Sequence, residues 1–209
     1  MKVAYFGYRR WAKVIKHNLE MAGYKFTSVS KADVVLYYGW SKMIPDKIYK
    51  KKLCFILHPS PLPKYRGGSP IQHQIMAGEK KSAVTICRVT ERLDAGDIYS
   101  QTPFSLKGTL DEIFERIIKI GTKDTLCMLG LLDYFHNTDW EIIPIKQDES
   151  KATYFKRRKP EESELFVGNF FSCTAKELYD FIRSLNDPYP NAFIRCRDGK
   201  KLYITGAHL

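Results

Sequence analysis

The chain has 209 residues, of which 44% are hydrophobic and 27% are charged. This composition is typical of a globular protein with one core, or with one core and a small annex. No stretch reaches the roughly 18 apolar residues that a membrane-spanning helix needs, and the N-terminal apolar run is too short for a signal peptide, so we expect a cytoplasmic protein. The net charge of +11 predicts anionic partners such as phosphates, polycarboxylates or nucleic acid.

The cysteine pattern indicates neither disulfides nor a metal. The count is odd, and there is no CxxC pair and no histidine at metal-ligand spacing. The five cysteines are Cys54, Cys87, Cys127, Cys173 and Cys196. A disulfide framework and a zinc site are therefore not expected.

The first elements alternate between strand and helix. Apolar runs over residues 2–6 and 32–38 predict buried strands. Between them, apolar residues recur at helical spacing over residues 11–22, and Gly23 ends that helix. A strand, a helix and a strand in this order predict a parallel sheet. The intervening first turn lacks the glycine-rich motifs of dinucleotide-binding and P-loop proteins.

Two helices are predicted in the middle of the chain. The first covers residues 70–76, with proline in its first turn and Gly78 after its end. The second covers residues 110–134 and has a broad apolar face. We expect a break in this long helix near Gly121.

The composition changes after Pro144. Residues 145–160 are polar and basic and are interpreted as a connector. Its basic run, residues 156–159, is interpreted as a solvated part of that connector because acidic residues follow directly.

Beyond the connector, the capping box at Thr174 opens a predicted helix, and an Asp-Gly turn joins two predicted strands over 192–196 and 201–205. The architecture we predict is α/β, with a Rossmann-like N-terminal domain over residues 1–150. A small α+β subdomain over residues 151–209 follows it.

Two loops carry the chemistry. HPSPLPKYRGGSPIQ, residues 58–72, follows an apolar run that predicts a buried strand, and LDAGDI, residues 93–98, follows another. A lone His-Pro step or Asp turn is usually structural, but three prolines within five residues stiffen the backbone after His58. Ligands in open α/β sheets bind beyond the carboxyl ends of strands. We therefore expect the His58 imidazole and the Asp94 carboxylate in one cleft.

Both motifs, in this order and at this separation, resemble the folate-dependent formyltransferase family. YFKRRKP at 154–160 and DPYPNAF at 187–193 resemble its short amino-sugar members, so the resemblance covers about residues 1–207. It implies an enzyme, an N-formyltransferase that transfers a formyl group from the co-substrate 10-formyltetrahydrofolate to an amine. It also implies that His58 and Asp94 are catalytic and that no metal is needed.

One position departs from the family pattern. The family places an asparagine two residues before its histidine, where its amide holds the formyl oxygen. This chain has Ile56 there. A replacement donor from Gln72, Gln74, a backbone amide or water remains open.

The resemblance also implies binding residues. The pteridine of the folate is expected in an apolar slot on the loop after the second strand, although spacing alone favours core residues there. The residues expected at the folate are Trp40, Ser41, Met43, Ile44, Leu93 and Ala95. The residues expected at the acceptor are Tyr65, Arg66, Gly67, Gln72 and Gln74.

The resemblance favours a nucleotide-linked amino sugar as acceptor, and hence a role in carbohydrate biosynthesis. A diphosphate substrate and a glutamylated folate would each account for part of the positive charge. The alternative is an aminoacyl group on tRNA or on a peptide-synthetase carrier, but tRNA-specific members carry a C-terminal RNA-binding domain, for which about 50 residues after the connector leave little room. A catalytically silent folate- or nucleotide-binding module is the third interpretation. Neither nucleic acid nor membrane is expected as a partner, and a homodimer is left open.

Overall fold

The computed structural model describes residues 1–136, 138, 141–187 and 189–209, so Pro188 of the 187–193 motif lies outside the described residues. Six strands are described in the N-terminal part, and the first, second, third and fifth of them follow predicted apolar runs. They are β1 (Val3–Phe6), β2 (Val34–Tyr38), β3 (Leu53–His58), β4 (Arg66–Gly67), β5 (Lys81–Arg88) and β6 (Ile98–Ser105). The helices there are α1 (Arg10–Met21), α2 (Asp46–Tyr49), α3 (Pro70–Met76) and α4 (Leu110–Phe135).

Strands β1, β2, β3, β5 and β6 form the central sheet, in that spatial order. The parallel pairing of β1, β2 and β3 confirms the prediction. All five residues of β2 are buried, as expected of a strand covered on both faces. Its alternate side chains enter two different apolar clusters, Leu36 in the larger and Val35 in the smaller. The larger cluster contains the buried faces of α1 and α4, so the main core lies under these two helices.

The other half of the sheet is antiparallel. Strand β5 runs against β3, with Phe55 opposite Arg88 and His58 opposite Thr85, and β6 runs against β5. Strand β6 was not predicted, because its sequence, IYSQTPFS, is largely polar and only its two ends bear buried side chains. The fold is thus α/β with a mixed sheet.

The predicted break at Gly121 is wrong, since α4 runs without interruption for 26 residues. A Cβ at residue 121 would lie 2.6 Å from Leu57 Cδ1 and 2.9 Å from Ile15 Cδ1. Glycine is needed there because α4 packs closely against β3 and α1.

The C-terminal part contains the short strand β7 (Tyr154–Phe155), helices α5 (Asn169–Ser172) and α6 (Ala175–Ser184), and strands β8 (Ala192–Arg195) and β9 (Lys201–Ile204). The predicted capping box of α6 and the antiparallel hairpin β8–β9 are both present.

Several contacts fasten this part to the rest of the chain. Strand β7 pairs with β4, and the Arg183 guanidinium donates to the carbonyls of Leu106 and Gly108 at 2.8 and 3.1 Å. The domain boundary at residue 150 stays a prediction. Within the described part of the chain, no helix is both long and apolar enough to cross a membrane.

Candidate active site

His58 is the last residue of β3 and is almost fully buried. Its Nε2 lies 2.8 Å from the carbonyl oxygen of Tyr65. Because a carbonyl can only accept, Nε2 carries a proton and donates it. In the neutral ring, Nδ1 therefore bears the lone pair. Nδ1 lies 3.6 Å from Asp94 Oδ2, so a proton taken up at Nδ1 would face a carboxylate.

Asp94 is held by the loop that begins at His58. The backbone N–H of Gly67 donates to Asp94 Oδ2 at 2.7 Å, and the carboxylate is nearly buried. The prediction that His58 and Asp94 share one cleft is confirmed, but the reason given for it is wrong. Since β5 is antiparallel to β3, its carboxyl end lies opposite Phe55, three residues or about 10 Å short of His58. The loop after β5 has to turn back along the sheet to bring Asp94 to the imidazole.

Both loops contain backbone conformations that side-chain-bearing residues rarely adopt. Tyr65, Ser69 and Asp94 have φ angles of 60°, 53° and 53°. Such conformations cost of order 1–3 kcal/mol each and persist where the surroundings over-determine them. In the described backbone, every non-glycine residue with positive φ lies on these two loops. The strain is thus concentrated where His58 and Asp94 meet.

Arg66 connects the loop after His58 with the loop that contains Asp94. Its side chain is fully buried, and its guanidinium donates to Gln147 Oε1 and, at 2.8 and 3.1 Å, to both carboxylate oxygens of Glu149. The hydrogen bonds from Arg66 hold the pKa of Glu149 below its ordinary value. Gln147 in turn donates to the carbonyls of Asp94 and Gly96 at 2.9 and 2.7 Å. A chain of hydrogen bonds therefore runs from one loop to the other.

A cavity of about 700 Å³ opens beside His58 and Asp94. It is lined by most of the residues that the sequence predicts for the site. Those from the predicted folate set are Trp40, Ser41, Met43, Ile44 and Leu93, and those from the predicted acceptor set are Gly67 and Gln72. Met43 is 80% exposed and lies at the mouth.

Four predicted residues do not line this cavity: Tyr65, Arg66, Gln74 and Ala95. The Tyr65 hydroxyl donates to Glu79. The Arg66 guanidinium donates to Gln147 and Glu149. The Gln74 amide donates to the carbonyls of Pro59 and Pro70 at 2.9 and 3.0 Å. The side chains of Tyr65, Arg66 and Gln74 thus hold the loop that begins at His58 in place and do not line the cavity.

Sequence reasoning missed the positively charged side of the cavity. Arg9, Lys156, Arg157 and Arg158 line it, and we call these four residues the cationic wall. Lys156, Arg157 and Lys159 are exposed, in agreement with the interpretation of residues 156–159 as a solvated connector, but part of the run also forms one side of the cavity. Pairing of β7 with β4 turns the following residues towards the cavity. No local signal reveals this, because the pairing joins residues far apart in the chain.

Aromatic side chains accompany the cationic wall. The Arg9 guanidinium lies 5.2 Å from the ring centre of Tyr8 and 5.6 Å from that of Tyr189. Burial raises the pKa of Tyr189, although Arg9 and Arg157 oppose this. Burial would also raise the pKa of Tyr8, but hydrogen bonds with Ser41 and Arg157 and the nearby positive charges lower it overall. The surroundings of Arg9 therefore stabilise negative charge.

A comparison with models of known protein families matches residues 10–123, more than half of the chain, with the formyl transferase family. The matched segment contains both His58 and Asp94. The chain belongs to the formyl transferase family.

Proteins that are similar to this chain are named for different acceptors. Methionyl-tRNA formyltransferase from Thermotoga neapolitana is 35% identical over 180 residues, which are 84% of this chain and 54% of that protein. The chain thus spans about half the length of the curated relatives it matches. The structure of a methionyl-tRNA formyltransferase from Clostridium thermocellum is 29% identical, with a TM-score of 0.76 over 98% of this chain and 97% of that one.

A sugar N-formyltransferase from a Shewanella species shares the fold. Its TM-score is 0.73 at 19% identity, over 100% of this chain and 98% of that one.

Transfer of a formyl group is an acyl transfer, and the site of this member of the family offers groups suited to it. An attacking amine has to lose a proton, which the Asp94 carboxylate or the free Nδ1 of His58 can accept. A positive charge on His58, next to the Asp94 carboxylate, would stabilise negative charge that develops nearby in a transition state. Ile56, which also lines the cavity, offers no hydrogen bond.

Proposed function

We propose that this enzyme transfers the formyl group of 10-formyltetrahydrofolate to the amine of a nucleotide-linked amino sugar. The observation that carries the proposal is that the cationic wall and the His58–Asp94 pair line the same cavity. A small acceptor with a phosphate at one end and an amine at the other matches that arrangement of charge and base.

The folate is held by the loop after β2. Trp40 packs there against Phe6, Tyr8 and Tyr37, and its indole Nε1 is buried without a hydrogen-bond partner among the described residues. A flat heterocycle with acceptor atoms at its edge would satisfy that donor. When bound, the folate supplies the activated formyl group.

His58 and Asp94 carry out the proton transfers. Asp94 takes the proton of the attacking amine, directly or through water, and keeps the His58 ring in the orientation fixed by Tyr65. That proton then passes from Asp94, directly or through Nδ1 of His58 or water, to the leaving nitrogen, and positive charge on His58 during this transfer stabilises the developing negative charge.

The cationic wall recognises the phosphates of the acceptor. Arg9 and Arg157 offer planar donors that pair with two phosphate oxygens at once. Tyr189, which also lines the cavity, presents a ring for a nucleobase or sugar.

Methionyl-tRNA is the second candidate acceptor. It is favoured by the names of the relatives with 29–35% identity. An aminoacylated 3′ end also combines an amine with phosphates, so the cationic wall would suit it as well.

An acceptor screen distinguishes the two. Purified enzyme and 10-formyltetrahydrofolate are offered a panel of nucleotide-linked amino sugars and, separately, methionyl-tRNA, and the formylated product is identified by mass. The His58→Ala protein measures the uncatalysed background. We expect the wild-type enzyme to formylate at least one sugar nucleotide. The Arg9→Gln substitution should raise the KM for that acceptor tenfold or more and leave the KM for the folate unchanged. Formylation of methionyl-tRNA alone would refute the sugar proposal.

A further inference from the structure

Formyl transfer places negative charge on the formyl oxygen, and the site needs a hydrogen-bond donor for it. Ile56 supplies none. Other donors near His58 are already in use. Gln74 donates to two carbonyls, and the Gly67 N–H donates to Asp94.

The side-chain amide of Gln72 is a donor without a hydrogen-bond partner. Its side chain is 3% exposed, and its Nε2 is buried with no hydrogen-bond partner among the described residues. The residue lines the cavity that contains His58. A buried amide left unpaired costs free energy, and native structures rarely tolerate one without reason. A partner that arrives with the substrate supplies that reason.

The position of Gln72 is fixed relative to the catalytic pair. Gln74, two residues further along α3, donates to the carbonyl of Pro59, which directly follows His58. Movement of α3 away from His58 would break that bond. The Gln72 amide is therefore pre-organised, as a donor to a transition-state charge has to be.

Two other donors of cavity-lining residues are buried and unpaired among the described residues: Arg158 Nε, which belongs to the cationic wall, and Trp40 Nε1. The three rings around it, Phe6, Tyr8 and Tyr37, lie on the β1 and β2 side of the site. Its surroundings suit the flat ring system of the folate. Gln72, on the helix anchored beside His58, suits the reacting group.

We propose that Gln72 is a catalytic residue, whose Nε2–H donates to the formyl oxygen as negative charge builds on it. The amine lone pair forms the new C–N bond while the carbonyl π electrons move to this oxygen. The electron pair on this oxygen then re-forms the carbonyl as the bond between the formyl carbon and the folate nitrogen breaks. The folate nitrogen takes up the proton that the amine released to Asp94 or His58. The inference rests on formyl transfer, but not on which amine accepts the group.

Gln72→Met tests the proposal, because methionine keeps the volume and removes the donor. The assay uses whichever acceptor the wild-type enzyme formylates, so failure of the sugar proposal leaves this test intact. We expect kcat to fall about 100-fold. The melting temperature should stay level or rise, since no hydrogen bond of the free enzyme is lost. Gln74→Met is the comparison: it removes two hydrogen bonds and should lower the melting temperature.

Binding of tetrahydrofolate gives a second readout, because this compound lacks the formyl oxygen. Its Kd should be the same within twofold for wild type and Gln72→Met. A rise of tenfold would show that Gln72 holds the folate itself and would overturn the proposal. So would a kcat above one tenth of the wild-type value in folded Gln72→Met. If that variant does not fold, Gln72→Glu, which keeps the shape and polarity, is judged by the same limits.

Discussion

The two ring nitrogens of His58 have different neighbours. Nε2 donates to a backbone carbonyl of the same loop, and Nδ1 faces a carboxylate from another loop. The ring is thus held in one orientation, with the nitrogen that can take up a proton next to Asp94. Asp94 itself adopts a left-handed backbone conformation and accepts a hydrogen bond from Gly67. Neither group is free to turn away from the other.

His58→Ala should lower kcat by about 100- to 1000-fold, because it removes both the proton carrier and the positive charge near the oxyanion. Tetrahydrofolate binding should be spared. His73→Ala is the matched control, since this second histidine of the segment donates from Nε2 to the carbonyl of Lys156 and does not line the cavity. Steady-state kinetics at saturating folate decide the matter. A His58→Ala enzyme with half of the wild-type kcat would contradict the assignment.

Asp94→Asn should lower kcat by at least 100-fold while the protein stays folded. Asparagine tolerates the left-handed conformation and can still accept the hydrogen bond from Gly67, so the loop should keep its shape. What is lost is the base and the negative charge beside His58. Thermal unfolding and kinetics are measured together. A large drop in melting temperature with kcat retained would make Asp94 a structural residue.

At the scale of elements, the site depends on one short pairing between distant segments. Strand β4 lies in the loop after His58, and β7 lies in the segment that leads to the cationic wall. Gly67 has a φ of +100°, and a Cβ there would lie 2.2 Å from the Phe155 carbonyl oxygen. Any side chain at this position would force β4 and β7 apart and shift the Gly67 N–H that holds Asp94.

Gly67→Ala should therefore destabilise the protein by about 3 kcal/mol and lower its melting temperature by about 6–12 °C, with a loss of kcat. Gly78→Ala is the control. Gly78 also has a positive φ, of +74°, but no described atom lies within 4 Å of an added Cβ. The control should cost about 1 kcal/mol, from backbone strain alone, and leave kcat unchanged. Equal melting temperatures for the two variants would show that the β4–β7 contact is unimportant.

At the scale of the whole molecule, residues after 150 complete the site rather than form an appendage. They supply three of the four residues of the cationic wall and the Tyr189 ring. Their own core is small, built around Leu165, Leu185 and Ala192. So small a cluster gives little independent stability. The carbonyl contacts of Arg183 and the pairing of β7 with β4 connect this part to the N-terminal part.

We expect the chain to unfold in a single transition. All three tryptophans, at 11, 40 and 140, precede residue 150, so their fluorescence reports mainly on the N-terminal part, although Trp11 and Trp40 also line the cavity that later residues share. Far-ultraviolet circular dichroism reports on the whole chain. The two signals should give the same midpoint in a guanidinium titration. An early dichroism change without a fluorescence change would mean that residues 151–209 unfold independently.

Local patterns in the sequence determined much of this protein. The apolar runs of β1 to β3, the proline and glycine that delimit α3, and the capping box of α6 depend on neighbouring residues, and each was predicted where it lies. The proximity of His58 and Asp94 was also predicted, but from the expectation that both loops follow the carboxyl ends of strands at one edge of the sheet, which the antiparallel β5 does not meet. Tertiary structure alone decided the direction of β5, the polar strand β6 and the close packing that requires Gly121.

The same holds for the parts of the site that long-range contacts create. The link from Arg66 through Gln147 to the Asp94 loop spans 81 and 53 residues of sequence. The cationic wall forms because β7 pairs with β4. Whether the amide of Gln72 or that of Gln74 is free depends on which carbonyls lie within reach, and two glutamines on one short helix look alike until the chain is folded. A residue's neighbours in sequence set its backbone preference and burial, whereas its hydrogen-bond partners are set by segments that only the complete fold brings together.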